Sequence, residues 1–142
     1  MREDFIIIFR SHPRLLKSVR SLVKSYLETL NFSDDRISEI ILGLDEACTN
    51  CIRHAYRGKK TGSIQLFINL GTSWLEFILR DCGVCPPPQF LSATDSKAIK
   101  SGVPKPHGVG LIILKRTFEH VEFKVDSEGR NCLILKTKRP KK

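Results

Sequence analysis

No apolar run in this chain approaches the ~18 residues of a membrane-spanning helix, so a helical membrane protein is not expected. The start, Met1-Arg2-Glu3-Asp4, lacks a basic segment followed by an apolar stretch, so no secretory signal is expected. The default compartment is then the cytoplasm. The pattern G-x-x-x-x-G-K-[ST] is missing, which removes a P-loop. Aromatic residues make up only 8%, and no RNA- or DNA-binding motif is recognisable, which counts against direct nucleic-acid recognition. No internal repeat or second domain is visible.

Acidic residues are also scarce, 15 against 24 basic, for a net charge of +9. Much of the excess lies in Lys136-Thr137-Lys138-Arg139-Pro140-Lys141-Lys142. Two readings of this run stand, a solvated tail and a nucleic-acid contact, and charge alone favours the first. A basic surface also suits an acidic protein partner or a polyphosphate ligand. With 142 residues, 41% hydrophobic and 27% charged, one soluble domain with its own core is expected. That domain is assigned to 1–138, with 139–142 as a basic tail.

Five cysteines include Cys48-x-x-Cys51 and Cys82-x-x-Cys85, a pattern that suggests zinc. The gap between the pairs exceeds the usual ~15–20 residues. Cys48 and Cys51 also fall on the apolar helical stripe Ile37-Ile40-Ile41-Leu44-Cys48-Cys51-Ala55. Buried thiols acting as small hydrophobes are therefore expected. Disulfides do not suit a cytoplasmic chain.

Phe5-Ile6-Ile7-Ile8-Phe9 reads as a strand. Pro13 opens a helix in which Leu15, Leu16, Val19, Leu22, Val23, Tyr26, Leu27 and Leu30 recur at helical steps. Ser33 is an N-cap candidate for a second helix that runs to about Tyr56, with Asp34 and Asp35 in its first turn and Gly58 as the stop. Ser63–Leu70 and Ser73–Asp81 read as a hairpin around Gly71-Thr72. Leu75, Phe77, Leu79 and Asp81 share one face of the second strand, so Asp81 ends an apolar face and needs a partner. Residues 84–106, with Pro86-Pro87-Pro88, are expected to form a lid. A short helix over Gly108–Phe118 and two strands, about Val121–Val125 and Cys132–Lys136, complete the chain. The order β-α-α-β-β-lid-α-β-β implies an α+β two-layer sandwich.

Glu46 and Asn50, at i and i+4, share a helix face and offer a general base and a neutral oxygen ligand for a hard cation. Arg53 and His54 lie a further turn along. Gly108 and Gly110 are expected just ahead of the short helix, where small residues let a phosphate approach free N–H groups. Lys100, Lys105 and His107 flank them and suit phosphate oxygens.

Glu46-x-x-x-Asn50, Asp81-x-Gly83 and Gly108-x-Gly110, in this order, resemble the N, G1 and G2 boxes of the GHKL ATPase superfamily. Asp45-Glu46-Ala47-x-x-Asn50-x-x-x-His54-Ala55-Tyr56 narrows the resemblance to the anti-sigma factor serine kinases of bacteria. Gly108-Val109-Gly110-Leu111-Ile112-Ile113, followed by Glu119-His120-Val121-Glu122-Phe123, points the same way. The resemblance implies a Bergerat-type fold, with a mixed, largely antiparallel sheet covered by helices on one face. It implies Glu46 as the base that takes a serine proton, and Asn50 as the holder of Mg²⁺. Asp81 would accept from the adenine amino group and Gly83 let the base approach. The wider ATP site would include Arg53, His54, Lys105, His107, Gly108, Val109, Gly110 and Leu111. The implied partners are a STAS-type anti-anti-sigma substrate, a sigma factor and a second copy of the chain, with no membrane and no direct nucleic acid. The rival readings are an ATP-responsive binding switch with little kinase activity and a small basic nucleic-acid-binding protein. The family often places Gly-Thr near the start of the last strand, where the Thr supports the adenine-binding Asp. Here those positions are Asn131-Cys132, and His107 stands where glycine is common.

Overall fold

The computed structural model describes residues 2–83 and 105–141, with side chains described for 4–83 and 110–141. The expected lid at 84–106 falls almost wholly outside the described residues. Strand β1 spans Arg2–Arg10. A 3₁₀ turn at Pro13–Leu15 leads into α1, Leu16–Glu28, and α2 spans Asp34–Asn50. Strands β2, Ser63–Leu70, and β3, Trp74–Asp81, follow. Helix α3 covers Lys105–Thr117, then β4 covers His120–Val125 and β5 Asn131–Lys138. The strand order is β1-β2-β3-β5-β4. Every described pairing is antiparallel, so the mixed sheet expected from the family resemblance is not what these residues form. No helix among the described residues is long and apolar enough to cross a membrane.

The two periodicities of the sequence build two layers. In β2, Ile64, Leu66 and Ile68 are buried, and in β3 so are Leu75, Phe77, Leu79 and Asp81, the alternation of a half-covered sheet. Leu16, Val19, Val23 and Leu27 of α1 recur at three- and four-residue steps and face the same core. Ile37, Ile40, Leu44, Ala47 and Cys48 of α2 and Leu114 of α3 close it. Burying each large aliphatic side chain contributes about 1.5–3 kcal/mol. This core makes α2 a fixed strut across the sheet.

The α2 start forms as its residues require. The Ser33 side chain accepts from the Arg36 N–H at 3.2 Å, and Asp34 and Asp35 lie in the positive first turn. Its far end differs from the expectation. The α-helix stops at Asn50, and Cys51–Ala55 forms a π-helical turn closed by Tyr56 N–H on the Cys51 carbonyl. Such turns insert an extra residue and recur at functional sites. They also change which residues share a face, so Arg53 and His54 do not extend the Glu46–Asn50 face at 100° per residue. Gly58 then takes φ +79°, a left-handed conformation that suits glycine.

Two further boundaries moved. Helix α3 begins at Lys105, so Gly108 and Gly110 lie inside it rather than ahead of it. The basic run begins inside the sheet: Lys136 to Lys138 belong to β5, and Thr137 is fully buried. Arg139 bonds back to the β2–β3 hairpin, through its N–H to the Ser73 carbonyl and its guanidinium to the Gly71 carbonyl at 2.7 Å.

Candidate functional site

Helix α2 and the π-helical turn that follows it position two groups of residues. Glu46 and Asn50 project toward α3. A β-carbon added at Gly110 would lie 2.5 Å from Asn50 Nδ2 and 2.7 Å from Glu46 Oε1. Real β-carbons do not come so close, so a larger residue at 110 would push these two side-chain ends aside. Glu46 and Asn50 are both half-buried. Asn50 Oδ1 is buried and has no hydrogen-bond partner among the described residues. A buried carbonyl oxygen without a donor is costly, and it is well suited to a cation. Neighbouring Asp45 pairs with Arg20 of α1 at 2.6 Å.

The second group forms around Asp81, which meets Cys51, the residue that follows Asn50. Asp81 is 7% exposed at the end of β3. Sheet register sets it opposite Asn131 of β5 and Ile64 of β2. Its Oδ1 accepts from the Gly83 N–H at 2.8 Å and from Asn131 Nδ2 at 2.9 Å. Its Oδ2 accepts from the Cys51 thiol at 3.3 Å. Asn131 Nδ2 also reaches the Gly83 carbonyl at 3.3 Å, so one amide grips both the carboxylate and the turn. A β-carbon at Gly83 would run into the Ala55 carbonyl, which shows how closely the turn lies on the π-helical segment. Tyr56 completes the clamp: its hydroxyl donates to the Ser63 carbonyl and accepts from the Cys82 N–H at 3.0 Å.

The structure thus brings Glu46, Asn50 and Gly110 together, and separately Asp81, Gly83 and the end of α2. Leu111 is half-buried beside Gly110 and packs against the core. Arg53 is exposed. His54 is half-buried, and burial, then the Arg53 charge, lowers its pKa below the usual value. The side chains of Lys105, His107 and Val109, like Lys100, lie outside the described residues, as does Cys85. The backbone of Lys105, His107, Gly108 and Val109 forms the first turns of α3. Cys48 behaves as a small hydrophobe, its thiol pushed up to about 12 by burial and by Asp45. Cys51 does not: it is buried yet polar in use.

Sequence reasoning missed Cys51, Asn131 and Tyr56. Asn131 was recognisable as a departure from Gly-Thr, but its amide supplies a donor to Asp81 all the same. Tyr56 entered only as part of a motif. Cys51 carried no signal, because the apolar stripe accounts for it.

The donor set suits a nucleotide: a glycine-lined approach, a buried carboxylate acceptor, a carboxylate base and an orphaned amide oxygen. A family model for the histidine kinase-like ATPase domain matches residues 9–137, and the chain belongs to that family. Its relatives include serine-protein kinase RsbW of Bacillus licheniformis, 25% identical over 122 residues, covering 81% of this chain and 74% of the relative. RsbW of Bacillus cereus strain G9842 is 27% identical over 124 residues, covering 83% and 74%. The fold is similar to the RsbU and RsbW domains of Rv1364c from Mycobacterium tuberculosis, with TM-score 0.66 and 15% identity over 96% of this chain. This chain spans only 32% of that protein. It is also similar to a chain of the SiaB-SiaC complex from Pseudomonas aeruginosa, with TM-score 0.62 and 15% identity, covering 96% of this chain and 91% of that one. Membership in this ATPase family implies ATP use, and the sequence relatives are named serine-protein kinases.

Proposed function

We propose that this protein is an ATP-dependent serine-protein kinase and anti-sigma factor, which phosphorylates a STAS-type anti-anti-sigma partner and sequesters a sigma factor. The observation that carries the reading is the close approach of Gly110 in α3 to Glu46 and Asn50. It sets a carboxylate and an unpartnered amide oxygen against a helix that begins five residues before Gly110. Phosphoryl transfer depends on positioning and charge neutralisation more than on covalent chemistry, and these are the parts it uses.

Asp81 accepts from the adenine amino group, and Gly83 leaves room for the ring. Gly108, Val109, Gly110 and Leu111, in the first turns of α3, line the phosphates, with Lys105, His107, Arg53 and His54 contributing polar contacts. Asn50 Oδ1 would hold Mg²⁺, which would supply charge neutralisation at the phosphates. Glu46 takes the proton from the attacking serine hydroxyl, so that its oxygen attacks the γ-phosphorus as the bond to the β-phosphate oxygen breaks.

The partner reading draws on the relatives. A chain of this fold is solved in the SiaB-SiaC complex. Phosphorylation adds about −1.5 to −2 charge at the docking contact and can release the substrate by repulsion and desolvation. The freed kinase then holds its sigma factor. A homodimer belongs to the same reading. The uncovered sheet face has an apolar row, exposed Ile6, half-buried Phe67 and Ile78 and buried Ile134, for a partner to cover. The test is a pull-down with ATP, with ADP and without nucleotide, followed by phosphoserine analysis. The reading expects a small protein phosphorylated on serine and a nucleotide-dependent exchange of partners. Recovery of nucleic acid alone, with no phosphoserine, contradicts it.

A further inference from the structure

The carboxylate of Asp81 is wired asymmetrically. A carboxylate offers about two acceptor positions on each oxygen. On Oδ1 both are taken, by the Gly83 N–H and by Asn131 Nδ2. On Oδ2 one is taken, by the Cys51 thiol, and no second donor occupies it among the described residues. Cys51 is 7% exposed and opens the π-helical turn, so its direction is set by backbone rather than by a free rotor on the surface.

We propose that Cys51 is a positioning residue for base recognition: its thiol proton occupies one side of Asp81 Oδ2 and aims the remaining acceptor position at the exocyclic amino group of a 6-aminopurine. This rests on the reading of Asp81 as the adenine acceptor and adds a residue that acts through it. The thiol is suited to the task because it stays a donor. Its sulfur lies 3.3 Å from Asp81 Oδ2, within reach of a thiol donor. A thiol is a weak donor, so its effect is directional more than energetic.

The test is a cycle between residue and ligand. Mg-ATP and the 6-deamino analogue, purine riboside triphosphate with Mg²⁺, are titrated calorimetrically into the wild type, Cys51→Ala and Cys51→Ser. Cys51→Ala is expected to weaken ATP threefold to tenfold and to leave the analogue unchanged. Cys51→Ser, which keeps a donor, is expected to stay within twofold of wild type for both. Equal ATP affinity in wild type and Cys51→Ala overturns the proposal. So does an equal loss of ATP and analogue, which marks a packing role alone. Asp81→Asn separates the two levels. If it weakens ATP while Cys51→Ala does not, only the role of Cys51 falls. If Asp81→Asn leaves ATP affinity intact, the adenine assignment falls with it.

Discussion

Asp81→Asn keeps the shape of the side chain and removes its charge and one acceptor. The amide oxygen belongs at the Oδ1 position, where the Gly83 N–H and Asn131 Nδ2 converge at 2.8 and 2.9 Å. The new NH₂ then faces Cys51, whose sulfur turns from donor to weak acceptor. Folding loses charge assistance on two bonds, from about 1.5–3 to about 0.5–1.5 kcal/mol each, or roughly 2–3 kcal/mol in all. On the proposed adenine contact, nucleotide binding loses more. The adenine amino group gives up a charge-assisted bond of about 1.5–3 kcal/mol, and two donors now face each other at about 1–3 kcal/mol. The sum corresponds to about 10²- to 10⁴-fold in Kd. Calorimetric titration of Mg-ATP, beside a urea denaturation curve that shows the variant folded, measures both effects. A folded Asp81→Asn variant with wild-type ATP affinity would refute the argument.

Gly110→Ala forces Glu46 and Asn50 aside, because its β-carbon would meet their side-chain ends. Those ends can swing and alanine gains about 1 kcal/mol in a helix, so stability should stay within about 1 kcal/mol of wild type while phosphoryl transfer drops at least about tenfold. Denaturation and transfer assays on one preparation check this, and full transfer activity contradicts it. Cys48 makes stability sensitive to alkali. The unfolded thiol ionises near 9.0 and the folded one near 12, so this stabilisation is complete below 9.0 and is lost as pH rises toward 12. By roughly pH 10.5 the loss reaches about 2 kcal/mol. Urea midpoints at about pH 8 and about pH 10.5 should converge less in the wild type than in Cys48→Ala. Equal pH dependence in the two proteins would contradict the assignment.

Much of the fold was legible because its signals are periodic. The 3.6-residue stripes of α1 and α2 and the alternation in β2 and β3 identify those elements and their buried faces. Asp81 stood out because it interrupts an apolar alternation at its last position. What stayed hidden depends on contacts between elements distant in sequence. Cys51 meets Asp81 only because α2 turns π-helical at its end, and nothing in Cys51-Ile52-Arg53-His54-Ala55 announces that. Asn131 meets Asp81 through sheet register, 50 residues away. The glycines misled in the opposite way: Gly110 serves helix approach from within α3, while the pattern suggested a turn ahead of it.

The central claim is that Glu46 takes the serine proton while Asp81 holds the nucleotide. Its most direct test is single-turnover transfer of γ-labelled phosphate from Mg-ATP to the proposed STAS partner, with wild type and Glu46→Ala side by side and ATP affinity measured in each. The account predicts near-equal ATP binding and a transfer rate lower by about 10²- to 10⁴-fold in the variant, the usual contribution of a general base. Transfer at the wild-type rate by Glu46→Ala, or no serine phosphorylation by the wild type under saturating Mg-ATP, would contradict it.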